Sequence, residues 1–316
     1  MRFALLLFAA CGVDSFDEAP LAAPTVDDDP TLPALDVRDT RLHVKVFGPA
    51  GAPALIFLHG GPGGDFRYAL PLVDPDVPGA LVADHRVVMW DQRGTGLSRR
   101  HPRDEVSIDE YFADLVALVD AVSPDAPVVL VGHSWGGAYA AWYLANHPER
   151  VAGAVLIHPQ ALTHELYVEA GAAADTEILA EWLADPLWQR TLISPEDHAR
   201  ADFLLGALEL YRIPRFHNDV IAPIFRPGAV VFRDLAFQWF EDTPYDFTPG
   251  LAAFPRPIRV LAGTDDEVLG HAFQHKQMQW FGNAELVALP GDGHNDAVSG
   301  SAPRTIAEIR RYLEAL

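Results

Sequence analysis

The segment that most restricts what this chain can become is Val128-Val129-Leu130-Val131, which runs straight into Gly132-His133-Ser134-Trp135-Gly136-Gly137. Four consecutive apolar residues without alternation read as a strand buried on both faces. The Ala-rich run 135–146, stopped ahead of Pro148, reads as a helix. Between them G-x-S-x-G makes a tight turn in which small neighbours let Ser134 take a strained conformation and lift its hydroxyl above the sheet. A serine displayed in this way is a candidate nucleophile.

A hydroxyl attacks poorly near neutral pH, so it needs an adjacent base and an acid that fixes the tautomer of that base. On a strand-helix framework the chain order is serine, acid, histidine. The apolar run Ile258-Arg259-Val260-Leu261 ends in Ala262-Gly263-Thr264-Asp265-Asp266, which sets two carboxylates on the loop after a strand. The G-x-x-D offset selects Asp266 and leaves Asp265 as a turn residue. Residues 284–289 form a further strand that leads into Pro290-Gly291-Asp292-Gly293-His294, so His294 completes the order as the base. His133 is the weaker candidate, because it sits inside the turn and points away from its neighbour's hydroxyl.

Negative charge developing on a tetrahedral intermediate needs N–H donors already in place. His59-Gly60-Gly61-Pro62-Gly63-Gly64 follows the strand 54–58 and brings bare backbone close to Ser134, so the oxyanion hole is assigned to the amides of Gly61 and Trp135. A phosphate loop is excluded there, since the Lys-Ser/Thr ending is missing.

Short apolar runs at 54–58, 86–90, 128–131 and 154–157 alternate with helical patterns, among them the capping box Ser107-Ile108-Asp109-Glu110. The fold class is therefore α/β, a mostly parallel sheet flanked by helices and opened by a hairpin from Leu35. From 159 to 255 the alternation gives way to aromatic and leucine residues at helical spacing, expected as an inserted helical cap. The core resumes over 256–316, its first part being 35–158.

Residues 1–10 have a basic start and a short apolar run, and are read as a signal peptide. Leu7-Phe8-Ala9-Ala10-Cys11 resembles the lipobox of bacterial lipoproteins, which implies lipidation at Cys11, export to the cell envelope and a membrane contact through that anchor alone; the alternative is a cytoplasmic chain in which Cys11 is an ordinary small hydrophobe. Residues 11–34 are acidic and proline-rich and are expected to be a tether. Cys11 is the only cysteine, so no intramolecular disulfide exists. The thirteen histidines show no metal-binding spacing, and no metal or cofactor is expected. A net charge of −21 repels polyanions and excludes nucleic acid as a partner. The expected partner is a small molecule or a short peptide.

HGGPGG at 59–64, Asp91-Gln92-Arg93-Gly94-Thr95-Gly96-Leu97-Ser98 and Ser134-Trp135-Gly136 together resemble the proline iminopeptidase branch of the α/β-hydrolases. The resemblance implies the α/β-hydrolase fold and metal-free release of an N-terminal residue, typically proline, from short peptides. It also implies acidic cap residues that receive the free amine, for which Glu209, Asp234 and Glu241 are the candidates, while Asp91 and Arg93 are structural. His133 stands where the peptidases carry glycine, and there the sequence is similar to esterases. The alternatives are an exported carboxylesterase or lactonase with the same triad and, in another class, a non-catalytic binding protein on this fold.

Overall fold

The computed structural model describes residues 22–173, 198–206 and 226–316; Cys11, Glu209 and the signal segment lie outside them. Eight strands form one sheet: β1 (Ala34–Val37), β2 (Thr40–Phe47), β3 (Ala54–Leu58), β4 (Arg86–Trp90), β5 (Val128–His133), β6 (Val151–Ile157), β7 (Ile258–Gly263) and β8 (Ala284–Leu289). Their spatial order is β1-β2-β4-β3-β5-β6-β7-β8. The opening hairpin and the β2–β4 pair are antiparallel, and every other pairing is parallel.

The unbroken apolar runs follow from this placement, because the central strands face two separate cores. Ile56, Leu58, Val128, Leu130, Ala154 and Leu156 point to one side, where they meet α1 (Ile108–Val122) and α2 (Trp135–Asn146). Leu55, Phe57, Val129, Val131, Val155 and Ile157 point to the other, against the turn Phe66–Val73 and a C-terminal helix (Ala302–Glu314). Each such side chain contributes roughly 1.5–3 kcal/mol on full burial, so substituting a polar residue on either face removes core. At the start of α1 the Ser107 side chain accepts the Glu110 N–H at 3.2 Å, the cap expected from the sequence. The C-terminal helix begins at Ala302, with Pro303 fitting its first turn.

The acidic leader departs from the expected tether. Thr25 and Val26 are buried, the Val26 N–H donates to the Leu97 carbonyl, and Asp27 pairs with Arg99 at 2.8 Å. Arginine partners and a free loop carbonyl on the core order a stretch whose composition alone could not, so the packed chain starts before residue 34. Within the cap region α3 (His164–Ala173) and the stretch 198–206 are helical. Residues 229–242 are helical too, with a π-helical middle at Phe232–Trp239. Phe240 packs edge-on to Trp135 with ring centroids 5.4 Å apart, which lays an aromatic layer beside the serine turn.

Candidate active site

Ser134 lies between β5 and α2 with φ 55° and ψ −122°, left-handed backbone that a side chain rarely adopts. The turn is held from three directions. Its N–H donates to the Ile157 carbonyl at 2.9 Å, and its carbonyl accepts from Gly137 and Gln160, each at 2.9 Å. A Cβ at Gly132 would overlap the Gly136 carbonyl, and one at Gly136 would overlap the Leu58 carbonyl. The glycines of the motif are therefore demanded by backbone-to-backbone approach.

Asp266, on the loop after β7, is buried, and the Nδ1 of His294 lies 2.8 Å from its Oδ2. Asp265 is exposed and bonds to the Thr264 hydroxyl instead. The Oδ1 of Asp266 accepts the N–H groups of Val268 and Leu269 at 3.0 and 2.9 Å. Burial alone raises a carboxyl pKa, but the charge and hydrogen bonds of His294 and His158 outweigh it and hold Asp266 well below the usual carboxylate range. Asp266 is thus an anion whose orientation is fixed.

His294 is brought beside the serine turn by His133. The His133 Nε2 lies 2.9 Å from the His294 carbonyl, which can only accept, so Nε2 carries the proton and Nδ1 is the acceptor. That Nδ1 meets the Tyr68 hydroxyl at 2.8 Å, and the same hydroxyl accepts the Gly60 N–H at 2.7 Å. A directed chain of donors therefore runs from Gly60 through Tyr68 and His133 to His294. Burial first, then the neighbouring His294 and His158, pushes the His133 pKa well down and keeps the ring neutral. His133 holds the loop that bears His294, and both of its own ring nitrogens are engaged.

The Gly60 amide is occupied, which leaves the amides of Gly61, next in that loop at φ 130°, and of Trp135, at the first position of α2 directly after Ser134. No hydrogen bond among the described residues takes either one. Gln92 ties the two loops together: the Trp135 indole N–H donates to its Oε1 at 3.0 Å, and its Nε2 donates to the His59 carbonyl at 3.0 Å. The loop that carries Gly61 and the start of α2 are thus joined through one buried side chain. Asp91 and Arg93 lie in the framework behind this loop. Asp91 accepts from His43, Phe66 N–H and Leu97 N–H, and the fully buried Arg93 guanidinium spans Asp114 and Asp39.

Of the three acids proposed for an amine, Asp234 is taken by Arg103 through two hydrogen bonds of 2.7 and 2.8 Å. Glu209 and the side chain of Glu241 lie outside the described residues. The buried His158 went unnoticed in the sequence reading. It directly follows β6, and its Nδ1 lies 2.8 Å from the same Asp266 Oδ2 that meets His294. A signal was present, since strand ends of an open parallel sheet face its ligand crevice and His158 closes such an apolar run. His158, Asp266 and His294 lie close enough to surround a cation. Both His158 nitrogens are already used, however, because Nε2 accepts the Gly263 N–H at 2.9 Å, and this set does not suit a metal.

The comparisons bear on the fold and the family. The alpha/beta hydrolase fold family matches residues 53–301, and the chain belongs to that family of hydrolases. A bifunctional esterase/perhydrolase of Acinetobacter calcoaceticus is 27% identical over 273 residues, covering 79% of this chain and 88% of its own. A non-heme chloroperoxidase of Streptomyces lividans is 29% identical over 281 residues, covering 81% and 90%. Among solved structures, a proline iminopeptidase-related protein of Thermus thermophilus aligns at a TM-score of 0.60 with 26% identity, covering 90% of this chain and 97% of that one.

Proposed function

We propose that the protein is a serine hydrolase that cleaves carboxylic esters by acyl transfer, with Ser134 as nucleophile, His294 as base and Asp266 as its orienting acid. The observation that carries this reading is the ionised, four-donor Asp266 carboxylate on His294, beside a serine at φ 55°. His294 Nε2 takes the Ser134 proton as the oxygen attacks the ester carbonyl, and the Gly61 and Trp135 amides receive the oxyanion. The imidazolium then returns its proton to the departing alcohol. Water, deprotonated by the same nitrogen, frees the acid and restores Ser134.

Esters are favoured over N-terminal peptide bonds because Asp234, the one of the three candidate amine-binding acids whose side chain is described, has its charge engaged by Arg103. The esterase named among the relatives supports the same choice. A second reading, release of an N-terminal residue from a peptide, is favoured by the HGGPGG and DQRG loops and by the iminopeptidase-related structure.

The test is an assay of the protein on a short-chain aryl ester, a proline anilide with a free amine, and the N-acetylated anilide. Ester turnover with little anilide cleavage is expected, together with a loss of about 10⁴-fold or more in Ser134→Ala. A preference for the free-amine anilide would replace the esterase by the aminopeptidase. Undiminished turnover in Ser134→Ala would remove the triad, and failure of a fluorophosphonate to label the native chain would leave the non-catalytic binding protein.

A further inference from the structure

We infer that His158 is a positioning residue that sets both the orientation of Asp266 and the field it exerts on His294, by sharing the carboxylate oxygen on which His294 depends. This inference rests on the triad proposed above.

The geometry fixes the role of His158 without any assumption about where hydrogens lie. The Gly263 N–H can only donate, and it meets His158 Nε2 at 2.9 Å, so that nitrogen is the bare acceptor of a neutral ring. Nδ1 therefore carries the proton and gives it to Asp266 Oδ2 at 2.8 Å. With His294 on the same oxygen and the Val268 and Leu269 amides on Oδ1, four donors fill the four acceptor positions of the carboxylate. Asp266 cannot rotate without breaking several of these bonds at once, so the His294 ring is held in one plane.

The shared oxygen also has an electrostatic consequence. Donor dipoles aimed at a carboxylate offset part of the field that it exerts on a third party. His158 thereby weakens the attraction between Asp266 and a protonated His294. The groups that face this pair are Asp266, the neutral His133 ring 4.8 Å from His294 and 6.4 Å from His158, Asp292, and Asp296, which accepts the Gly293 N–H at 3.1 Å. His158 itself stays uncharged, because a proton on Nε2 would point at the Gly263 N–H. Burial acts in the same direction, more strongly than the opposing bond to Asp266.

Two substitutions separate positioning from bulk structure. His158→Leu removes the donor, and His158→Asn places an amide N–H close to the position of Nδ1. The quantity read is the acid limb of the kcat/KM profile, which reports ionisation of the base in free enzyme. The limb is expected to move up by about one pH unit in His158→Leu and back towards the native position in His158→Asn. A loss of kcat in both variants with the limb unmoved would overturn the inference. Should the leucine variant not fold, ring ¹⁵N shifts of the native protein decide. A His158 ring that keeps the Nδ1–H tautomer from pH 8 to 5 supports it, and one that titrates in that range overturns it. Fluorophosphonate labelling separates the two failures. Labelling that survives Ser134→Ala removes the triad itself, whereas labelling that needs Ser134 beside an unmoved limb removes only the role of His158.

Discussion

At the scale of the residue, the site divides into groups that chemistry marks and groups that only folding reveals. Ser134, Asp266 and His294 were readable because each closes an apolar run at a glycine-bearing loop, a pattern local enough to survive in one dimension. Tyr68 had no such mark, and His158, which closes an apolar run, is followed by Pro159-Gln160 and no glycine-bearing loop. Their partners, His133 and Asp266, lie 65 and 108 residues away, and no spacing rule spans such distances. Asp234 shows the opposite failure, since an acid placed well for an amine in the sequence is paired with an arginine 131 positions earlier. Tyr68→Phe tests the relay directly. It leaves the Gly60 N–H and His133 Nδ1 buried without partners, at a cost of about 1–3 kcal/mol. With the His294 loop less firmly held, kcat should fall by roughly tenfold to a hundredfold while KM changes little. Urea denaturation and steady-state kinetics on the same preparation read both effects, and a variant with native kcat would show that the relay does not position His294.

At the scale of the element, most of the sheet was legible because strands buried on both faces are apolar throughout, and β3, β4 and β5 carry that signature. The π-helical turn at Phe232–Trp239 was not, since it arises from packing between cap and core and leaves no periodicity of its own. The leader was misread for a related reason: composition speaks of what a segment can bury alone, and Val26 is buried by other parts of the chain. The junction of β5, α2 and β3 gives the sharpest test at this scale. Gly136 lies in the first turn of α2, and a Cβ there would overlap the Leu58 carbonyl at the end of β3. Gly136→Ala must push α2 off β3, with a destabilisation of about 1–3 kcal/mol. The same displacement moves the Trp135 amide away from Gly61, so activity is expected to fall further than stability explains. Thermal melts compared with kcat/KM at a temperature where the variant stays folded separate the two, and unchanged values for both would refute the close-approach account.

At the scale of the whole molecule, the buried histidines dictate how stability depends on pH. His59, His133 and His158 are enclosed, and burial lowers the pKa of each below the ordinary histidine value. Each also spends a ring nitrogen as an acceptor: His59 from the Gln92 N–H, His133 from Tyr68 and His158 from the Gly263 N–H. The native state therefore resists protons that the unfolded chain accepts. This stabilisation is complete above about pH 6.5, the unfolded value, and is lost as the pH falls below it towards the depressed native values. Each proton taken up on unfolding contributes up to about 1.4 kcal/mol per pH unit, and the three rings act together, so the loss steepens as the pH falls below about 6.5. Asp266 acts in the same direction but in a lower window, beginning below about pH 4, because its carboxyl is depressed from the carboxylate range. The net charge of −21 works against the trend, since acidification relieves self-repulsion, but most carboxylates take up protons only below about pH 5. Over the interval from pH 7.5 to 5.5 the histidines dominate, and urea midpoints measured across it should fall steeply below about 6.5. A flat profile there would mean that these rings accept protons in the folded state, at the expense of the acceptor bonds assigned to His133 and His158.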